Sequence, residues 1–132
     1  MPRTRSPKIT IGQTDFDSLS GLATEALDRV PAAEQLLSEL DRAKIVPDEA
    51  LAPDVVRMGS CVVFRTGEAD ERRVELVYPG KADIAQNRVS VLTPIGAALI
   101  GLSPGQSITW TARDGRDHSL TVVSVTQPAD VT

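Results

Sequence analysis

The chain is short of the residues from which catalytic and metal centres are most often built. Its 132 residues hold one cysteine, Cys61, and one histidine, His118. A single cysteine cannot close an internal disulfide, so the bridged scaffolds of small secreted proteins are excluded. Cys61 falls inside a strand pattern and reads as a buried, inert thiol. His118, with no second histidine and no cysteine beside it, reads as an incidental residue on a strand and not as a zinc ligand. Aromatic residues make up only 3% of the chain: Phe16, Phe64, Tyr78 and Trp110. Long apolar runs are missing too, since no segment approaches the ~18 consecutive apolar residues that a spanning helix needs. The opening MPRTRSPKITIG is basic and has no apolar stretch of the kind a secretory leader carries, so the cytoplasm is the expected location.

What is present is the composition of a globular protein. A hydrophobic share of 41% is enough for a core, and 24% charged residues is ordinary. The length suits one domain with a short appendage. The net charge of −4 is unevenly spread. Residues 1–13 carry Arg3, Arg5 and Lys8 and no acid, whereas residues 14–54 set ten acids against three bases, and residues 55–132 balance. Because Lys and Arg contacts to phosphate dominate nucleic-acid affinity, the acidic segment makes direct nucleic-acid binding an unfavourable reading. A macromolecular partner of that segment is expected to present a positive surface.

The acidic segment reads as two helices. Thr14 is the expected N-cap, with Asp15 and Asp17 in the first turn, where the helix dipole favours acids. Phe16, Leu19, Ala23, Ala26 or Leu27, and Val30 then recur at three-four spacing. Pro31 interrupts, and Ala33, Leu36, Leu37, Leu40 and Ala43 form a second stripe. Two stripes joined by a short turn specify an antiparallel helical hairpin, either packed on the following domain or projecting from it. The expected regions are a basic tail over 1–13, the hairpin over 14–46, a Pro- and acid-rich linker over 47–54, and a β domain over 55–132.

From Val55 the period changes to two. Met58, Val62 and Phe64 mark one strand and Val74, Leu76 and Tyr78 a second, joined through TGEADE. Val89 and Val91 mark a third, Ile108 and Trp110 a fourth, and LTVVSV (120–125) a fifth. This last run alternates poorly, so it is either covered on both faces or bulged. Asp114-Gly115 is a two-residue hairpin signal between the fourth and fifth strands. Between the third and fourth lies SVLTPIGAALIGLSPGQSI, in which Pro94 suits the first position of a short helix and Gly101 its C-terminal end. That helix covers the sheet with Ile95, Leu99 and Ile100. Neither the D-G-R-D-H run, which lacks calcium-loop spacing, nor G-L-S-P-G-Q-S, which lacks a phosphate-loop lysine, reads as a ligand site.

Three motifs in order, V-R-M-G-S-C-V-V-F (56–64), L-V-Y-P-G-K-A-D (76–83) and V-S-V-L-T-P-I-G-A-A-L-I-G-L-S-P-G-Q-S-I (89–108), resemble the C-terminal domain of the GreA/GreB transcription factors. L-D-R-A (40–43) and P-D-V-V (53–56) are more similar to the branch known as regulators of nucleoside diphosphate kinase. The resemblance implies an α+β fold: a short N-terminal antiparallel coiled-coil hairpin, then an FKBP-like antiparallel β domain with one short helix. It also implies binding to RNA polymerase at the rim of its secondary channel, through the strand-to-helix corner Leu92, Thr93, Pro94 and Ile95. Gre factors usually carry Asp or Asn at the position of Leu92 and Ser at that of Thr93, so a polar contact is expected to be replaced here.

Gre factors that stimulate transcript cleavage have a long coiled coil whose tip carries two acids three residues apart that help hold a metal. Such carboxylates suit Mg²⁺, which takes oxygen ligands. At the expected tip here, Asp28, Arg29, Val30, Pro31 and Glu34, the two acids are six apart, and Glu25 with Asp28 stands in reversed order beside Arg29. These acids read as a solvated helix face. The expected protein is therefore a monomeric, non-enzymatic transcription regulator with no cofactor, no metal and no membrane partner. The alternatives are an FKBP-like peptidyl-prolyl isomerase, disfavoured because at most three aromatics are left to line its pocket, and a direct regulator of nucleoside diphosphate kinase.

Overall fold

The computed structural model describes residues 8–66, 71–111 and 116–127. The two expected helices are α1 (Gln13–Ala26) and α2 (Pro31–Arg42). Their stripes turn inward, with Leu19, Ala23 and Ala26 of α1 and Ala33, Leu36 and Leu40 of α2 buried. Phe16, Val30, Leu37 and Ala43 are half-buried at the margins, and Leu27 at the turn is 44% exposed. Pro31 opens α2, where a missing N–H leaves nothing unsatisfied. The expected cap at Thr14 is corrected. α1 starts at Gln13 after Gly12, and the Thr14 N–H donates to Asp48 Oδ1 at 3.0 Å. The cap comes from 34 residues away, beyond any local reading.

Two stretches expected to lie outside the folded elements belong to them. Strands β1 (Thr10–Gly12) and β2 (Lys44–Val46) pair in parallel, with α1 and α2 as their crossover. Ile9 and Ile11 are buried, so the tail expected over 1–13 gives way to structure by Ile9; Lys8 is exposed, and Arg3 and Arg5 lie outside the described residues. The linker expected over 47–54 holds a 3-10 turn at Asp48–Ala50, and Leu51 and Val55 beside it are buried. Its prolines shape a turn against the fold.

The sheet contains β3 (Cys61–Thr66), β4 (Glu71–Val77), β5 (Arg88–Ser90), β6 (Ser107–Thr111) and β7 (Asp117–Thr126) in the order β5-β4-β3-β7-β6. All neighbours are antiparallel except β4 and β5, which run parallel, so the all-antiparallel expectation is corrected. The cause is the long return from Tyr78 to Asn87, whose 3-10 turns at Pro79–Lys81 and Ile84–Gln86 carry the chain back before β5 begins. Parallel pairing requires a crossover of about this length. The poor alternation of LTVVSV is a bulge: Val63 faces Ser124, yet Phe64 faces Val122, leaving Val123 as the extra residue. Val62, Phe64, Val74 and Leu76 are buried as their period predicts, while Tyr78 is exposed and Cys61 half-buried. Residues 67–70 and the Asp114-Gly115 turn lie outside the described residues.

A third helix, α3 (Pro94–Leu99), lies between the sheet and α2, and Leu99, Ile100 and Leu102 are fully buried there. One hydrophobic cluster joins Leu19, Leu36 and Leu40 of the hairpin to Val62, Phe64, Leu76 and Leu120 of the sheet. Of the two arrangements the sequence leaves open, the hairpin takes the packed one.

Candidate functional site

The corner after β5 is built by a short chain of hydrogen bonds. Ser90 Oγ accepts the Leu92 N–H at 3.0 Å, and Ser90 O accepts the Thr93 hydroxyl at 2.7 Å. The Thr93 oxygen in turn accepts the Gly96 N–H at 3.0 Å, which makes Thr93 the N-cap of α3. Pro94 sits at the first helical position. Gly96 has no room for a side chain, since a Cβ there would stand 2.1 Å from Ser90 O. The corner is thereby pressed against the end of its own strand. At the other end of α3, Gly101 adopts φ +83°, and its N–H donates to Val56 O at 2.9 Å.

The structure brings Leu92, Thr93, Pro94 and Ile95 together, all half-buried. From α2, Gln35 Nε2 donates to Pro94 O at 3.1 Å. The corner also forms one wall of an open groove of about 550 Å³. Arg72, Ile84, Arg88 and His118 line the same groove from β4, the β4–β5 return, β5 and β7, and sequence reasoning assigned none of them to a site. The one local signal was Ile84, a large aliphatic residue in the polar stretch K-A-D-I-A-Q.

The hairpin turn is a separate place. Asp28, Arg29, Pro31 and Glu34 are exposed there, with Val30 half-buried. The turn is closed by the Arg29 and Val30 N–H groups donating to Ala26 O at 3.0 and 2.9 Å, and Arg29 Nη2 reaches Glu25 O at 3.3 Å. Among the described residues no three or more His, Cys, Asp or Glu side chains come together in a way that could hold a metal.

A third polar region joins hairpin and β domain. Asp15 Oδ2 accepts the Met58 N–H at 3.1 Å, and burial holds this carboxyl above its ordinary range despite that bond. Asp48 is held below its range by the hydrogen bonds from Thr14. Nearby, the buried Gln127 side chain bonds to Val55 O, Pro53 O, Ser60 Oγ and Arg57 Nε, fastening the entry to β3. Val56 N donates to Leu102 O, so this fastening extends to the segment after α3.

These elements fall within two matched families. The description "Transcription elongation factor, GreA/GreB, C-term" matches residues 51–127, more than half the chain, and "Rnk N-terminus" matches residues 7–46. The chain belongs to the GreA/GreB family. Within it, the chain is 39% identical over 121 residues to the Regulator of nucleoside diphosphate kinase of Escherichia coli, covering 90% of this chain and 89% of that one. A solved structure described as a prokaryotic transcription elongation factor GreA/GreB from Nitrosomonas europaea superposes with a TM-score of 0.71 at 36% identity, over 92% of this chain and 99% of the other. The transcription elongation factor GreA of Clostridium acetobutylicum is 33% identical over 84 residues, 63% of this chain and 53% of its own length. These relatives are named as regulators or factors, not enzymes. The corner lies wholly in the region matched to the GreA/GreB C-terminal description, and the exposed tip acids lie in the N-terminal match. Among the described residues no helix is long and apolar enough to cross a membrane.

Proposed function

We propose that the chain is a non-enzymatic, cytoplasmic, monomeric transcription regulator that binds RNA polymerase near the rim of the secondary channel, using the corner Leu92, Thr93, Pro94 and Ile95. The observation that carries this reading is the corner itself. Four half-buried residues in the family-matched domain are held in one shape by Ser90, the Thr93 cap and the close approach of Gly96. A preformed surface loses little freedom on docking. Leu92 gives this contact an apolar character, in place of the acid or amide expected from the family.

The hairpin, a short coiled coil in this reading, rests beside an FKBP-like domain. At 1.5 Å per residue its arms are about 21 and 18 Å long. Asp28 and Glu34 at its tip do not form a metal-delivering pair, and the hairpin stops short of the polymerase active centre. Its acidity favours a positive surface at the channel entrance.

Capture of the chain by purified polymerase core tests the corner. Pro94→Ala combined with Ile95→Asp is expected to weaken capture while circular dichroism stays unchanged; undiminished capture with an intact fold sinks the assignment. In a backtracked elongation complex the chain is expected to leave transcript cleavage unstimulated, and robust stimulation would overturn the reading of the tip.

A second reading, direct action on nucleoside diphosphate kinase, draws on the name of the Escherichia coli relative. Addition of the chain to the purified kinase, followed by turnover, decides it. The isomerase reading gains nothing from the groove, whose described lining contains no Phe, Tyr or Trp side chain.

A further inference from the structure

We infer that the groove beside the corner is a binding site for a short protein segment that presents an aliphatic side chain flanked by carboxylates. The inference deepens the proposed polymerase contact, because Thr93, Pro94 and Ile95 belong to both, and it states what chemistry the partner brings.

The groove's floor is apolar, formed by Val89, Pro94 and Ile95, with Ala82 and Ile84 on the side of the β4–β5 return. Ile84 is 91% exposed, the most exposed large aliphatic residue described. A single exposed aliphatic residue needs no explanation, but one standing at the lip of an apolar groove extends that surface into solvent. The volume of about 550 Å³ suits a few side chains and not a folded domain.

The charge at the rim selects the occupant. The chain carries 18 acids against 14 lysines and arginines, yet among the described lining residues there is no Asp or Glu, while the guanidinium groups of Arg72 and Arg88 are there, with the His118 ring beside them. Arg72 lies over the Phe64 ring, its guanidinium carbon 5.8 Å from the centroid, which fixes the charge at the sheet's end. Arg88 Nε is 3.5 Å from Glu75 Oε1, with both side chains about two-fifths exposed. An exposed pair of that kind contributes little, so Arg88 can turn to an incoming carboxylate at small cost. Nucleic acid fits less well, because single strands are held by runs of stacking rings and the described lining offers no Phe, Tyr or Trp and a single His118.

The test uses the full chain and two labelled hexapeptides, Glu-Asp-Leu-Val-Glu-Asp and Lys-Lys-Leu-Val-Lys-Lys. Affinity is read by fluorescence anisotropy and location by amide chemical shifts. The acidic peptide is expected to bind at least tenfold more tightly than the basic one and to shift the amides around Ile84, Val89 and Ile95. Ile84→Asp and Arg88→Glu, both at accessible positions, are each expected to weaken it at least tenfold. Equal binding of the two peptides, shifts elsewhere, or unchanged affinity in both variants would overturn the inference. Polymerase capture separates the two readings. If both variants capture polymerase normally and the acidic peptide does not bind, the groove assignment fails and the corner stands. If the unsubstituted chain captures no polymerase while the peptide maps to the groove, the corner fails and the groove chemistry stands. Self-association in sedimentation velocity that Leu27→Asp abolishes would make a second copy's hairpin turn the occupant and overturn the assignment to a partner.

Discussion

Gln35, in the middle of α2, donates its side-chain N–H to the carbonyl oxygen of Pro94, the first residue of α3, at 3.1 Å. The two residues are 59 positions apart, and their contact ties the acidic hairpin to the corner of the β domain. The hairpin therefore supports the corner directly, at the first residue of α3. Removing one partly buried hydrogen bond costs about 1 kcal/mol. Gln35→Ala is expected to lower stability by about that amount in urea unfolding with an unchanged slope. A fall in slope would mean that the hairpin unfolds separately.

The corner's shape depends on Thr93 more than on its neighbours, because one hydroxyl both donates to Ser90 O and accepts from Gly96 N. Thr93→Ala is expected to cost about 1 kcal/mol as a lost N-cap and to weaken polymerase capture, whereas Thr93→Ser keeps both bonds and restores both properties. Gly96→Ala is expected to cost more, about 3 kcal/mol, because a methyl group directed at the backbone of Ser90 and Val91 cannot be relieved by a side-chain rotation. Thermal unfolding of the three variants gives the ranking, and a Gly96→Ala chain as stable as the original would refute the packing argument.

The helices, the five sheet strands and the α3 corner were legible because their signals are local. Three-four spacing marks the stripes of α1 and α2, and Pro94 before I-G-A-A-L-I reads directly as the first position of a short helix, whereas the Thr93 cap emerged only from the structure. β1 and β2 were not legible, since three residues each carry no period and their pairing spans 34 positions. The same distance hid the capping of Thr14 by Asp48. The groove escaped for a related reason. Arg72, Ile84, Ile95 and His118 come from four elements and have no common motif, and only the parallel return from β4 to β5 sets Ile84 beside the corner. The tip acids were legible as a solvated face because they lie close together along the chain, on either side of one turn.

Gln127 is expected to be the most costly polar side chain to remove from the β domain. All four of its hydrogen-bonding positions are filled: Nε2 donates to Val55 O at 2.6 Å and Pro53 O at 2.9 Å, and Oε1 accepts from Ser60 Oγ at 2.6 Å and Arg57 Nε at 3.3 Å. Gln127→Leu strands at least one buried carbonyl, and each stranded group costs about 1–3 kcal/mol. A loss of about 3 kcal/mol is expected in urea unfolding. Amide hydrogen exchange is expected to quicken at Val56 and Gly101, which the same segment holds, and a loss confined to the chain's end would show that Gln127 does not fasten the α3 segment.

Glu39 sets a pH dependence whose sign runs opposite to that of an ordinary paired carboxylate. Its side chain is almost buried on α2, and burial raises its pKa above the ordinary 4.5 against the lowering effect of the Arg42 guanidinium, whose Nε lies 2.9 Å from Oε1. The folded state therefore holds this proton more tightly than the unfolded one. The group's contribution is full below pH 4.5 and declines as pH rises through the folded pKa, because ionising a buried carboxyl costs solvation that Arg42 only partly offsets. Glu39→Gln keeps an oxygen for Arg42 and removes the charge. Its urea midpoint is expected to fall less than that of the parent chain between about pH 4 and pH 7, and the variant is expected to be at least as stable at the upper end. Other carboxylates, including Asp48 with its shift in the opposite direction, contribute equally to both proteins and cancel in the difference. If the variant instead lost stability at neutral pH and matched the parent in acid, the ion pair with Arg42 would outweigh burial, and α2 would be stabilised by charge within its own last turn as well as by its apolar stripe.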